Sequence, residues 1–349
     1  MAEEERMSPG ESRKVNADSV VIRVESGEST LKSAGRRILV SILMASILMN
    51  VMFIFMTSTE PDVANAAVQQ SHNSGTEGAE GKLAVINFSG TIMPPFTSRW
   101  LQQIKEATED DSIQGVLLSV DRPGGLVADS HQIYHELLKL REKKPIYVAM
   151  KRLAASGGYY ISMGIGEEGE IFVEPTTWTG SIGVIIPRYN ASELATKVGV
   201  KVEPLATGPL KDSLNPFRDL SESEREVWDE ILADSFDRFV GVIADNRSDL
   251  NDEEVRALAT GQIYTANQAI ENGLADKVGY EEDALDALAS SLGLSDYEAV
   301  EYSSPATLLD ILLSKAETPP TISEHLLESS IPRAMYYCSW NPWVPVSGD

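Results

Sequence analysis

Cysteine is almost missing from this chain. A single one, Cys338, stands among 349 residues, so no disulfide can close within the chain and stability has to come from packing. Histidine is scarce too, with four residues in all: His72, His131, His135 and His325. Basic charge is in deficit. Lys and Arg total 29 against 53 Asp and Glu, a formal net charge of −24. That balance argues against nucleic acid as a partner, because phosphate binding needs a basic face. There is no Walker-type glycine loop and no HExxH, so no nucleotide, metal or other cofactor is expected.

Charge is wholly absent from one stretch, "ILVSILMASILMNVMFIFM", residues Ile38 to Met56. Its nineteen residues match the length a helix needs to cross the hydrocarbon core of a bilayer. Arg36 and Arg37 precede it, and the flank that follows, "TSTEPDVANAAVQQSHNSGTEGAEG", has no Lys or Arg. The positive-inside rule then puts the N-terminus in the cytoplasm and the remainder outside it. "ANA" at Ala64 to Ala66 offers a cleavage site, but the long tail before the apolar run favours an uncleaved anchor. Residues 57–81 are rich in Ala, Asn, Ser, Gly and Gln and read as a flexible tether.

From Lys82 onward, strand and helix patterns alternate. "KLAVINF", "GVLLSV" and "PIYVAM" are short apolar runs that read as buried strands. "GSIGVII" and "KVEPLA" are further strands by the same criterion. "SRWLQQIKEATED", "VADSHQIYHELLKLREKK" and "ASELATKVG" read as helices. This order predicts an α/β fold with a mostly parallel sheet covered by helices. The second part is mostly helical. Capping boxes at Ser221/Glu224, Asn251/Glu254 and Thr265/Gln268 mark three helix starts, and "EEDALDALASSLG" follows.

The stretch "KRLAASGGYY" sets Ser156 between two alanines and two glycines. It follows the strand "PIYVAM" and precedes a helix-compatible run, where unpaired backbone N–H groups favour negative charge. Acyl transfer by a serine needs such donors for its oxyanion. Gly157 supplies one. Gly124 or Gly125, in "PGG" at the end of the neighbouring strand, supplies another. Taken singly, either glycine loop is more often an ordinary turn. The base is open between two kinds. His131 and His135 share a helix face at i, i+4, a spacing that also fits a partly exposed surface. Lys211, in "TGPLKDSLNPF", would serve if burial stripped its charge, and otherwise reads as a surface lysine beside Asp212.

"RPGGLVADS", "AASGGYYIS", "TGSIGV", "TGPLKD" and "GQIYTANQAIENGLAD" occur in the order seen in bacterial signal peptide peptidase A, and the chain resembles the short, membrane-anchored form of that family over roughly residues 82–294. The resemblance implies a ClpP/crotonase-like fold and a serine-type endopeptidase of the bacterial inner membrane. It implies Ser156 as nucleophile, Lys211 as general base and Ser181 as the serine that orients the lysine. Gly124, Gly125 and Gly157 fall at the oxyanion-hole positions. It further implies a ring-shaped homo-oligomer with serine and lysine from neighbouring protomers. The implied substrates are released signal peptides and other unfolded or apolar peptides. The expected layout is a cytoplasmic tail (1–37), an anchor (38–56), a tether (57–81), a peptidase domain (82–294) and a C-terminal extension (295–349). A silent peptide-binding scaffold of the same fold and a stomatin-partner protease are the alternatives. Arg122 before "PGG" departs from the family's small residue, and is expected to narrow the groove or pair with an acid. Gln262 stands where arginine is common, and "GIGEEGE" is a little long. The apolar tail segment "AMYYCSW" is a candidate to bind, or be trimmed by, the chain's own site.

Overall fold

The computed structural model describes residues 68–303 and 335–337, together with Ser41, Leu43, Met44 and Ser46. The chain divides into two units, Met1–Glu60 and Pro61–Asp349, and every element named below belongs to the second.

Four strands lie parallel and side by side: β2 (Lys82–Ser89), β3 (Ile113–Arg122), β5 (Ile146–Ala155) and β6 (Ile171–Val173). Their near-continuous Val, Leu and Ile runs reflect cover on both faces. On one face Ile86, Phe88, Leu118, Val148 and Met150 pack with Trp100 and Ile104 of α1 (Phe96–Glu109) and with Ile133 and Leu137 of α2 (Val127–Arg141). On the other, Leu83, Val85, Leu117, Tyr147 and Phe172 meet Leu285 and Leu288 of α8 (Glu281–Ser291). Successive residues of β2 thus serve opposite layers, as a period of two requires.

The sheet is wider than the sequence pattern predicts. β10 (Glu298–Ser303) lies parallel to β2, and β1 (Gln69–Gly75) pairs antiparallel with β10. A strand therefore stands inside the expected tether, and another beyond the expected domain limit at residue 294. β1 has no apolar alternation; its side chains are mostly exposed. It is a strand because its backbone covers the edge of β10, which side-chain pattern cannot announce.

Two expected strands do not form. β7 (Trp178–Gly180) pairs with β5 and with β8 (Ile263–Thr265), then ends. Gly180 and Ser181 take positive φ, 80° and 49°, and turn the chain out of the sheet, so "GSIGVII" keeps only an isolated bridge at Ile185. "KVEPLA" is exposed and unpaired. It follows the short helix α4 (Ser192–Lys197), and among the described residues no strand pairs with it. The three capping boxes are formed as the spacing predicts. They open α5 (Glu222–Ala244), α6 (Asp252–Leu258) and α7 (Ala266–Glu271).

The apolar run Ile38–Met56 lies outside the described residues apart from the four named above, which are exposed. Among the described residues no helix is long and apolar enough to cross a membrane.

Arg122 neither narrows a groove nor pairs with an acid. It is 1% exposed, with its guanidinium 4.0 Å from the Trp100 ring centre and 5.3 Å from that of Phe88. It donates to the Ser89 carbonyl at 3.1 Å, while Nε and Nη1 have no partner. Burial pushes its pKa down to about 9, a penalty of roughly 5 kcal/mol on the charged form. One charged hydrogen bond and the cation–π contacts offset about 4 kcal/mol of that. Arg122→Met, apolar and similar in length, is therefore expected to keep the thermal midpoint within a few degrees of the parent. A fall of about 10 °C or more in a melting experiment would mean that the cation contributes far more than these contacts allow.

Candidate active site

β5 runs on past the predicted strand to Ala155 and delivers Ser156 to the first position before α3 (Gly157–Ser162). Its φ and ψ are 56° and −115°, a strained region for a residue with a Cβ. The backbone is held on both sides. The Ser156 N–H donates to Gly180 O at 2.7 Å, and Ser156 O accepts from the Tyr160 N–H at 2.8 Å. The hydroxyl is buried and has no hydrogen-bond partner. A strained residue with an idle buried hydroxyl is the kind of outlier that points to function.

The glycines beside it have a specific task. A Cβ on Gly157 would lie 2.7 Å from Ser130 Oγ and 3.1 Å from Gly125 N. One on Gly158 would lie 2.9 Å from Arg122 Cγ. The missing side chains let α3 settle directly on β4 (Gly124–Leu126) and on the stem of Arg122. The space around the serine is thus filled by backbone.

In β4, Gly124 O accepts from the Ile92 N–H and the Leu126 N–H donates to Ile92 O, both at 2.8 Å. By strand alternation the Gly125 N–H faces the other way. On that side lies β11 (Met335–Tyr337), antiparallel to β4 and in register Met335 to Leu126, Tyr336 to Gly125 and Tyr337 to Gly124. Its other edge is tied to Ile185, with Ile185 N–H to Met335 O at 3.0 Å and Met335 N–H to Ile185 O at 2.9 Å. The carbonyl of Tyr336 abuts the α-carbon of Gly124, where a Cβ would collide with it and would also stand 2.8 Å from Gly157 N. The chain's own tail segment thus lies as an extended strand with a carbonyl among Gly124, Gly125 and Gly157.

Ser181 is buried beside this groove, its N–H donating to Gln262 O at 2.7 Å. Only the backbone of Gln262 serves this bond, so the residue type there leaves it untouched. Lys211 is exposed, with its N–H on Gly208 O at 3.2 Å. It makes no bond to Ser156, whose hydroxyl is unpartnered. Nor does Asp212 turn to Lys211. It accepts from Arg218 Nε at 3.1 Å and from Asn215 Nδ2 at 3.0 Å. Arg218 also grips Glu224 at the start of α5 and, by that hydrogen bond first, holds its carboxyl at about 2.

The histidines stand elsewhere. His135 is exposed. His131 Nδ1 is 2.7 Å from the Tyr160 hydroxyl. Burial first, then Arg238 and His135, lower its pKa, which favours the neutral ring. Neither histidine bonds the Ser156 hydroxyl. Sequence reasoning also missed Tyr160 and Phe239, whose rings pack on Tyr336 at 4.9 Å and 4.5 Å, and Ile185 as groups that seat the tail; the apolar residues of "AMYYCSW" were the one available signal.

Residues 139–295 match the model of peptidase family S49. A putative signal peptide peptidase SppA of Enterococcus faecium is 44% identical over 209 residues, which cover 60% of this chain and 60% of that one. A putative protease of Synechocystis is 38% identical over 220 residues, 63% of this chain and 77% of the relative. Protease 4 of Salmonella typhi is 30% identical over 241 residues, 67% of this chain but 38% of the relative. The chain thus matches less than two thirds of the length of the first and third of these proteins. Among solved structures, a membrane-bound stomatin-specific protease is 17% identical, with a TM-score of 0.42 over 60% of this chain and 86% of that one.

Proposed function

We propose that this chain, which belongs to peptidase family S49, cuts peptides through Ser156, with Lys211 of an adjoining copy as the general base. The observation that carries this reading is the buried, unpartnered hydroxyl of Ser156 beside a groove in which an extended segment already lies. In the proposed reaction Ser156 Oγ attacks the peptide carbonyl while Lys211 Nζ takes its proton. The Gly125 and Gly157 N–H groups receive the developing oxyanion. The lysine then protonates the leaving amine, and water activated the same way frees the acyl group from the serine. Ser181 orients the lysine.

The exposure of Lys211 supports a base supplied between copies. The segment around it carries Tyr189, Leu194, Val198, Val200, Leu205 and Leu210 at 43% to 103% exposure. So many uncovered apolar side chains mark an interaction surface. A second copy laid there would desolvate Lys211, and burial disfavours its charged form. The ring-shaped assembly, the membrane anchor at Ile38–Met56 and an extracytoplasmic peptidase unit complete the proposal. The proposed substrates are released signal peptides and other extended or apolar segments, because added-strand binding accepts unfolded backbone only. Digestion of a signal peptide and of casein by the parent and by Ser156→Ala, with the products sequenced, tests it. Equal cleavage by both would refute it.

The tail strand competes with substrate for β4. Tyr336→Asp in the full chain places a carboxylate where a buried ring now lies, and is expected to expel the strand. Cleavage of an added peptide at low concentration then rises about tenfold through a lower apparent KM, because a tethered competitor acts at high effective concentration. An unchanged KM would mean that the tail does not hold the groove in solution.

A further inference from the structure

We infer that Arg122 is a positioning residue of the proposed peptidase reaction. Its buried guanidinium braces the backbone that carries the oxyanion amides and sets a positive charge behind them. This rests on the proposed reading that Ser156 attacks a peptide carbonyl whose oxygen turns to the Gly125 and Gly157 N–H groups.

Arg122 closes β3, and only Pro123 separates it from Gly124 at the start of β4. Its stem lies under α3. A Cβ on Gly158 would stand 2.9 Å from Arg122 Cγ, 3.5 Å from Cδ and 3.1 Å from the Arg122 carbonyl oxygen. The residue that follows the Gly157 amide thus rests directly on Arg122. The head of the side chain reaches a second support. Nη2 donates at 3.1 Å to the carbonyl of Ser89, which ends β2. The chain leaving Ser89 arrives at Ile92, whose N–H donates to Gly124 O and whose carbonyl accepts from the Leu126 N–H. One side chain therefore joins the segment that holds β4 to the residue that carries α3. The separation of the Gly125 and Gly157 amides is set across it.

The charge has no counter-ion. Asp121 is the neighbouring acid in the chain, but strand alternation turns it to the other face. There Arg152 engages it, with Nε at 2.8 Å and Nη2 at 2.6 Å. Arg122 bonds a carbonyl through Nη2, its Nε and Nη1 bond nothing, and its flanks are the rings of Trp100 and Phe88. Buried charges are ordinarily paired. A cation left unpaired in a protein interior keeps a field that water does not screen, and neighbouring groups feel it. The peptide oxygen gains its negative charge only as the tetrahedral state forms. The benefit therefore falls on the transition state and not on substrate binding. Loss of the guanidinium is expected to lower kcat about tenfold and to leave KM unchanged.

The test compares Arg122→Met and Arg122→Lys in the full chain. Methionine keeps a stem beneath Gly158 and removes the charge; lysine keeps both. With a fluorogenic peptide, kcat of Arg122→Met is expected to fall about tenfold at parental KM, and Arg122→Lys to recover most of it. A peptide boronate, which forms an anionic tetrahedral adduct on a serine, is expected to bind Arg122→Met about tenfold more weakly than the parent. The corresponding amide peptide is expected to bind both alike. A purely structural role would lower the thermal midpoint and weaken boronate and amide together. Parental kcat in Arg122→Met would overturn the inference, as would a lysine variant as slow as the methionine one, or equal losses for the two ligands. Arg122→Gln, neutral and polar, provides a second reading in case Arg122→Met fails to fold, and parental boronate affinity there overturns the inference equally. Ser156→Ala is assayed alongside. If it cuts like the parent, the peptidase reading itself fails; if it is dead while Arg122→Met turns over normally, only the role of Arg122 fails.

Discussion

Ser156→Ala and Lys211→Met are each expected to lower peptide hydrolysis by about 10⁴-fold or more, while the fold is kept. Both side chains can be lost without a packing penalty. The Ser156 hydroxyl bonds nothing, and Lys211 is exposed. A structural role would show as a lower thermal midpoint, and an unchanged midpoint with lost turnover separates the two. The sharper measurement mixes the variants. If each site takes its serine from one copy and its lysine from the next, co-refolding equal amounts of the two dead chains restores roughly a quarter of the sites, the product of two even chances. If both groups come from one chain, the mixture stays dead. Activity that survives in either variant alone removes the dyad.

The next largest effect is expected from Gly124→Ala, about 10²- to 10³-fold on kcat/KM. Gly124 has φ 107°, a region that L side chains rarely adopt, which costs about 1–3 kcal/mol of stability. Its added methyl would collide with the carbonyl of the strand lying on β4 and would crowd the Gly157 N–H. The loss therefore falls on peptide binding as well as on turnover. That distinguishes it from Ser156→Ala, which should still bind peptide at parental affinity. A Gly124→Ala chain with normal kcat/KM would show that no substrate carbonyl comes to this place.

The proposed nucleophile and the glycines proposed as its donors could be read from the chain because they are local. "AASGG" and "PGG" each sit at the carboxyl end of an apolar strand, and side chains too small for their surroundings announce close backbone contact. The α/β alternation and the three capping boxes were legible for the same reason: their determinants lie within four residues of one another. The boundary of the sheet was not. β1 and β10 owe their place to a free edge presented by strands far away in the chain. The expected strands after Gly180 and at "KVEPLA" failed for the converse reason, since an apolar pattern makes a strand only where another strand offers its edge.

Charge, composition and spacing by themselves determined that a serine hydroxyl would stand at the end of a buried strand among glycine amides. Only the tertiary structure decided what lies beside it. Tyr336 is 180 positions from Ser156 in the numbering, yet its carbonyl rests against Gly124. Arg122 is buried against two aromatic rings, where a side chain narrowing the groove or paired with an acid was expected. Such contacts depend on which surfaces meet after the sheet has closed, and a linear pattern has no term for that.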